Sequence, residues 1–204
     1  MARKRDIQVE RQVFTIVTNG KETECNYFSQ LKQRSIYKIQ LIFENADPYG
    51  LVERAKREKE NSNQVWIVFD IDRFHEEGKL VPALNLAKKE NINVAFSNLA
   101  FEVWLISHFE KCSKHMTTAE HITKLNRLLK DNNYGAEYSK SDEKLLKKLF
   151  IPKYADAVTN SKAVYQTRLR DFREEYGPDS NPPVWEWNSC TTVFKLIEAL
   201  RLKK

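Results

Sequence analysis

The stretch Gln64-Val-Trp-Ile-Val-Phe-Asp-Ile-Asp72 decides how this chain is read. Val65 to Phe69 are β-branched, aliphatic or aromatic without a break, as expected of a strand buried on both faces of a parallel sheet. The run then ends in two carboxylates, Asp70 and Asp72. Burying an unpaired carboxylate is costly, so acids at the end of such a strand need a partner. Ligands of open α/β sheets bind at the carboxyl ends of the strands. An Asp-x-Asp there sets two hard oxygen ligands close together, a good start for holding Mg²⁺. Aspartates also form turns and cap helices after a strand, and the motif alone leaves both readings open.

Outward from this strand, the first hundred residues alternate strand and helix signals. Gln12 to Thr18 reads as a first strand ending at Asn19-Gly20, followed by a helix from Thr23 to Arg34 with Tyr27, Phe28 and Leu31 on one face. Tyr37 to Glu44 reads as a second strand. Asp47-Pro48 opens a helix to Glu60, with the aspartate as cap and the proline in the first turn. A helix over Leu80 to Glu90 and a strand over Ile92 to Phe96, closing on Ser97-Asn98, complete the series. This order predicts an α/β fold: a central, mostly parallel sheet with helices on both faces.

Beyond Leu99 the pattern is helical. Phe101, Trp104, Leu105, His108 and Phe109 fall at helical spacing, where a histidine is more often packed than a ligand. Helices are expected at Thr118 to Lys130, Asp142 to Leu149, Tyr154 to Tyr176 and Thr191 to Leu202. Asp131-Asn-Asn-Tyr-Gly135 and Gly177-Pro-Asp-Ser-Asn-Pro-Pro183 read as loops. The expected organisation is an α/β core over residues 1–110 and a helical extension of the same domain over 111–204.

Composition narrows the classes. The 204 residues are 41% hydrophobic and 30% charged, with only 5 glycines and 6 prolines, which argues against low complexity. No apolar run reaches the roughly 18 residues of a spanning helix. The opening Met-Ala-Arg-Lys-Arg-Asp has no apolar core behind it, so no signal peptide is read and a cytoplasmic location is expected. Cys25, Cys112 and Cys190 are scattered, which disfavours a zinc site or a disulfide framework. The net charge of +6 favours a polyanionic partner, with Arg3, Lys4, Arg5, Arg54, Lys56, Arg57, Lys147 and Lys148 as contributors. Solvated helix faces explain many such charges equally well.

Acids recur at the other strand ends. Thr18-Asn-Gly-Lys-Glu-Thr-Glu24 is a glycine turn opening a helix, where the N-terminus and Lys21 favour an anion and Glu24 is a cap or a ligand. Glu102 lies one turn into an otherwise apolar helix, as a cap or an inward ligand. If the first and third strands are neighbours, Glu24, Asp70 and Asp72 meet at one sheet edge and, with Glu102, form a site for one or two divalent metals.

Thr18-Asn-Gly-Lys-Glu-Thr-Glu-Cys-Asn-Tyr-Phe28, Val68-Phe-Asp-Ile-Asp72, Ser97-Asn-Leu-Ala-Phe-Glu-Val-Trp-Leu-Ile-Ser-His-Phe109 and Asn188-Ser-Cys-Thr-Thr-Val193 together resemble the RloB-like family, in order and over nearly the whole chain. The resemblance implies a Toprim-like fold, the metal-dependent domain of topoisomerases, primases and OLD nucleases. It also implies phage-defence loci and abortive infection, often beside an AAA- or ABC-like ATPase. The family shows a glutamate after the first strand, its general acid/base and metal ligand, where this chain has Asn19. An amide oxygen coordinates a metal but takes up no proton near neutral pH. Cys25 and Leu99 stand where the family commonly has proline.

The reading that follows is a Mg²⁺- or Mn²⁺-dependent nuclease of antiviral defence. Asn19, Lys21, Glu24, Asp70, Asp72 and Glu102 are its catalytic candidates; Asp70, Asp72 and Glu24 hold the metal, and Lys21 meets the scissile phosphate. DNA or RNA is the expected partner, with an ATPase beside it and no membrane; a second copy of the chain stays open. The alternative is a nucleic-acid-binding or ATPase-partner subunit that keeps the fold and has lost cleavage.

Overall fold

A computed structural model describes residues 12–71 and 74–203 of the chain. Five strands form one sheet: β1 (Val13–Thr18), β2 (Lys38–Phe43), β3 (Gln64–Asp70), β4 (Asn93–Asn98) and β5 (Cys190–Thr191), in the order β2-β1-β3-β4-β5. The first four run parallel and β5 is antiparallel to β4. β1 therefore lies between β2 and β3, with Thr18 opposite Val68, and this register sets the ends of β1 and β3 side by side.

The alternation of side chains along a strand divides the core into two. Trp66 and Val68 of β3 join Phe14 and Ile16 of β1 on one face. That face is covered by α1 (Thr23–Leu31), α4 (Glu102–Ser107), α5 (Thr118–Asp131) and α8 (Val193–Ala199). Val65, Ile67 and Phe69 point to the other face, against α2 (Pro48–Lys56) and α3 (Leu80–Lys89). β3 is thus buried on both sides, as its unbroken apolar run requires. The first cluster extends from Phe14 to Leu200, so the C-terminal helices pack on the sheet.

Local signals explain most boundaries. The Asp47 side chain accepts a hydrogen bond from the Gly50 N–H at 3.0 Å and Pro48 follows it, which fixes the start of α2. Thr117 and Glu120 cap α5 reciprocally. The 23-residue α7 (Tyr154–Tyr176) begins and ends where the periodicity places it.

Two segments depart from the expectation. The helix expected over Asp142 to Leu149 is present over residues 143–150 but changes pitch, α6 (Glu143–Leu145) widening into a π-helical stretch over Leu146–Phe150 before a tight turn over Ile151–Lys153. Pro152 lacks an N–H and clashes with a preceding helical turn, so α6 does not run on into α7. The helix expected from Thr191 starts at Val193, because Cys190 and Thr191 pair with β4. The Thr192 N–H donates to the Phe96 carbonyl at 2.8 Å and holds that short strand in place. Among the described residues, no helix is long and apolar enough to cross a membrane.

Candidate functional site

The turn after β1 begins the site. The Gly20 N–H donates to Thr18 Oγ1 at 3.1 Å, and the chain reverses into α1. The Glu24 side chain folds back over this turn: a Cβ on Gly20 would fall 1.9 Å from its carboxyl group. Any larger residue at position 20 would displace the Glu24 carboxyl from this position. Glu24 is only 6% exposed.

Asn19, Gly20, Lys21, Glu22, Thr23 and Glu24 line a cleft of about 440 Å³ together with Asp70 at the end of β3, Phe74 and Lys140. The cleft lies at the carboxyl edge of β1 and β3, the position at which open α/β sheets bind ligands. Asn19 Nδ2 donates to the Ala46 carbonyl at 3.5 Å, which ties the turn to the loop before α2.

Glu102 does not line the cleft. It opens α4 at 1% exposure, where its Oε1 accepts a hydrogen bond from the Tyr138 hydroxyl at 3.0 Å and lies 3.6 Å from Lys140 Nζ. Its Oε2 is buried with no partner. Such an atom in a native fold marks a cost that something else justifies. The charge of Glu102 reaches Glu24. Burial chiefly, with Glu102 adding, pushes the Glu24 carboxyl up to about 6, against a backbone hydrogen bond and Lys140. Burial works against the charge of Lys140, yet Glu102, Asp70 and Glu24 outweigh it and hold its proton more firmly than usual.

The arrangement thus brings Asn19, Lys21, Glu24 and Asp70 into one cleft, with Glu102 buried beside it. Asp72 and the basic stretch Arg3, Lys4 and Arg5 lie outside the described residues. Arg54 is engaged by Glu44 at 3.5 Å and by Glu58, and Lys56 by Glu53 and Glu90; neither they nor Arg57 line the cleft. Lys147 joins Lys32 and Arg34 around a separate hollow of about 410 Å³ that no acid lines. Lys140 and Tyr138 carry no sequence signal. They belong to a loop far along the chain, and only the packing of α5 and α6 brings that loop over the strand ends.

Among the described residues, no group of three or more histidine, cysteine, aspartate or glutamate side chains is gathered closely enough to cage an ion. Mg²⁺ does not need such a cage, since it keeps several waters and is held through one or two carboxylates. Glu24, Asp70 and the Asn19 amide are hard oxygen donors around one cleft, and that chemistry fits the ion.

His108 has a different place. It caps the C-terminal end of α4, fully enclosed, with Nε2 accepting from the Tyr27 hydroxyl at 2.9 Å and Nδ1–H donating to the Trp104 carbonyl at 3.0 Å. Burial pulls its pKa down to about 3 and keeps it neutral. It is a packed histidine.

A family model described as RloB-like protein matches residues 14–200. No curated protein and no solved structure matches the chain.

Proposed function

The chain belongs to the RloB-like family, and from that premise we propose that it is a Mg²⁺- or Mn²⁺-dependent nuclease of Toprim type acting in antiviral defence beside an ATPase. The observation that carries this reading is the cleft itself: Glu24, in the first turn of α1 after β1, and Asp70, at the end of the neighbouring β3, face one hollow at the carboxyl edge of the sheet. Asp70, its sequence neighbour Asp72 and Glu24 are the donors this chain offers a divalent ion. When bound, that ion supplies charge neutralisation at a phosphoryl oxygen and a more acidic water.

The chain's own residues do the rest. Lys21, beside the turn, orients a phosphate by charge. With no ion bound, burial raises the Glu24 carboxyl to about 6, so it is a proton acceptor near neutral pH when it is not ligating the ion, which Asn19 is not. Glu102 stays buried beside it and holds the local field negative. The acid-free hollow of Lys32, Arg34 and Lys147 supports a polyanionic substrate. The chemistry proposed here acts on the phosphate backbone, which DNA and RNA share, so both are in scope.

The test is cleavage of plasmid, single-stranded DNA and tRNA with and without Mn²⁺, by the chain and by Asp70→Asn. Metal-dependent cleavage that Asp70→Asn abolishes supports the nuclease. Salt-sensitive binding without cleavage by either protein favours the second reading, a nucleic-acid-binding or ATPase-partner subunit. Asn19 is the observation on its side, since it removes the carboxylate the family carries at that turn.

A further inference from the structure

Lys140 enters the cleft from the loop between α5 and α6 and stands among acids from three elements. It lines the same hollow as Glu24 and Asp70, and its Nζ lies 3.6 Å from Glu102 Oε1. We infer that Lys140 is an internal cation of this cleft, a side chain paired with Glu102 whose charge opposes entry of a divalent metal ion between Glu24 and Asp70. The inference rests on the divalent-ion reading and adds to it how access of the ion is set.

Three features of the loop point this way. First, the loop is held down by groups other than Lys140. The Tyr138 N–H donates to Asn126 Oδ1 at 2.7 Å, the Tyr138 hydroxyl to Glu102 Oε1 at 3.0 Å, and the Tyr134 hydroxyl to Asp142 Oδ2 at 2.8 Å. The ammonium is therefore free to leave without unseating the loop. Second, the Lys140 side chain is 54% exposed while its acidic partner Glu102 is 1% exposed. A lysine on a flexible stem withdraws into water easily; the buried carboxylate stays behind. Third, Lys140 and Tyr138 both address Oε1 of Glu102, and Oε2 keeps no partner. The lysine is thus anchored to an acid outside the cleft lining and reaches Glu24 and Asp70 through its charge.

The charge difference sets the direction. A divalent ion entering the cleft meets both the attraction of the carboxylates and the repulsion of an ammonium a few ångströms away. Removing the ammonium removes that repulsion; because Lys140 also helps keep Glu24 ionised, the gain is read above the pH range in which Glu24 titrates. For a half-exposed group screened by salt, the expected gain in divalent affinity is about tenfold.

Calorimetric titration of Mn²⁺ into the full chain, Lys140→Met and Lys140→Arg decides the matter. Methionine keeps the apolar stem and arginine keeps the charge, and a thermal melt of each variant establishes that it is folded. The inference expects Lys140→Met to bind Mn²⁺ about tenfold more tightly, Lys140→Arg to bind like the parent, and the gap to narrow as salt rises. Equal or weaker binding by Lys140→Met overturns the role of Lys140 and leaves the divalent site standing. Absence of Mn²⁺ binding in all three removes the divalent site itself, and the inference with it.

Discussion

Helices α1 and α4 carry two pairs of buried polar side chains, and the two are built in opposite ways. Toward the C-terminal end of α4, Tyr27 and His108 meet at 2.9 Å inside a ring of aromatic side chains that includes Trp104 and Phe150. Both imidazole nitrogens have partners and both groups are uncharged. At the other end, Glu24 and Glu102 set two acids within electrostatic reach; one keeps a buried oxygen without a partner, and the other lies against a cleft. The first pair is a satisfied network that contributes to a unique core. The second is only partly compensated, by Lys140 and the Tyr138 hydroxyl, and gains from a further cation or a proton. Burial alone therefore does not separate fold from function here. What separates these two pairs is the unpartnered carboxylate oxygen of Glu102, a far costlier atom to leave unpaired than the Trp104 Nε1 that is also without a partner beside the first pair.

The comparison sharpens most at Asn19, which puts an amide at the turn after β1 beside Glu24 and Asp70. Asn19→Glu should raise single-turnover cleavage by ~10²–10⁴, the usual worth of a general base. Equal rates for the two proteins, with Glu24→Ala inactive, would show that Glu24 already fills the role.

The closed end should fail as structure and not as chemistry. His108→Ala leaves a cavity and strands the Tyr27 hydroxyl, which should cost about 3 kcal/mol in urea unfolding while Mn²⁺ affinity stays unchanged. A loss of Mn²⁺ binding in a folded His108→Ala protein would merge the two ends into one site.

Acid should act on the two ends with opposite sign. The His108 pKa is depressed to about 3, so below its ordinary value near 6.5 the unfolded chain takes a proton that the fold refuses. Stability is lost as pH falls through that window; His121, whose pKa burial also lowers, adds in the same direction. The Glu24 carboxyl is raised from 4.5 to about 6, so the fold takes that proton first. Its contribution is present below 4.5 and lost as pH rises through 6. Relative to Glu24→Gln, the parent should gain up to about 2 kcal/mol between pH 7 and 4.5. Parallel stability–pH curves for the two proteins would contradict the assignment.

The smallest effect is expected at Glu102. Replacing a buried, half-partnered carboxylate by the neutral amide in Glu102→Gln should stabilise the protein by about 1 kcal/mol in thermal unfolding, since it removes repulsion with Glu24. Destabilisation of that size instead would make the Glu102–Lys140 pair a structural one.

The fold was legible where composition alone forces a conformation. β3 needed only its unbroken apolar run, and α2 only its aspartate and proline. β5 escaped because two residues carry no period, and its pairing depends on β4 lying alongside. The change of pitch before α7 centres on Pro152, whose missing N–H disturbs the preceding turn without ending the helical pattern around it. At the site, the acids at the ends of β1 and β3 stood out by their setting after apolar runs, whereas their meeting in one cleft depends on β1 lying next to β3. Strand order is a property of the whole sheet and is not written in either strand. Lys140 and Tyr138 are ordinary loop residues until tertiary packing sets them against Glu102.

Calorimetric Mn²⁺ titration of Glu24→Gln beside Tyr27→Phe, two substitutions three residues apart on α1, tests the account most directly. Each removes one polar function from the same helix and changes little in volume. The account predicts that Glu24→Gln loses Mn²⁺ binding at no cost in stability, and that Tyr27→Phe binds Mn²⁺ like the parent while losing about 1 kcal/mol with its hydrogen bond. Undiminished Mn²⁺ binding by Glu24→Gln, with the parent itself binding, would contradict it.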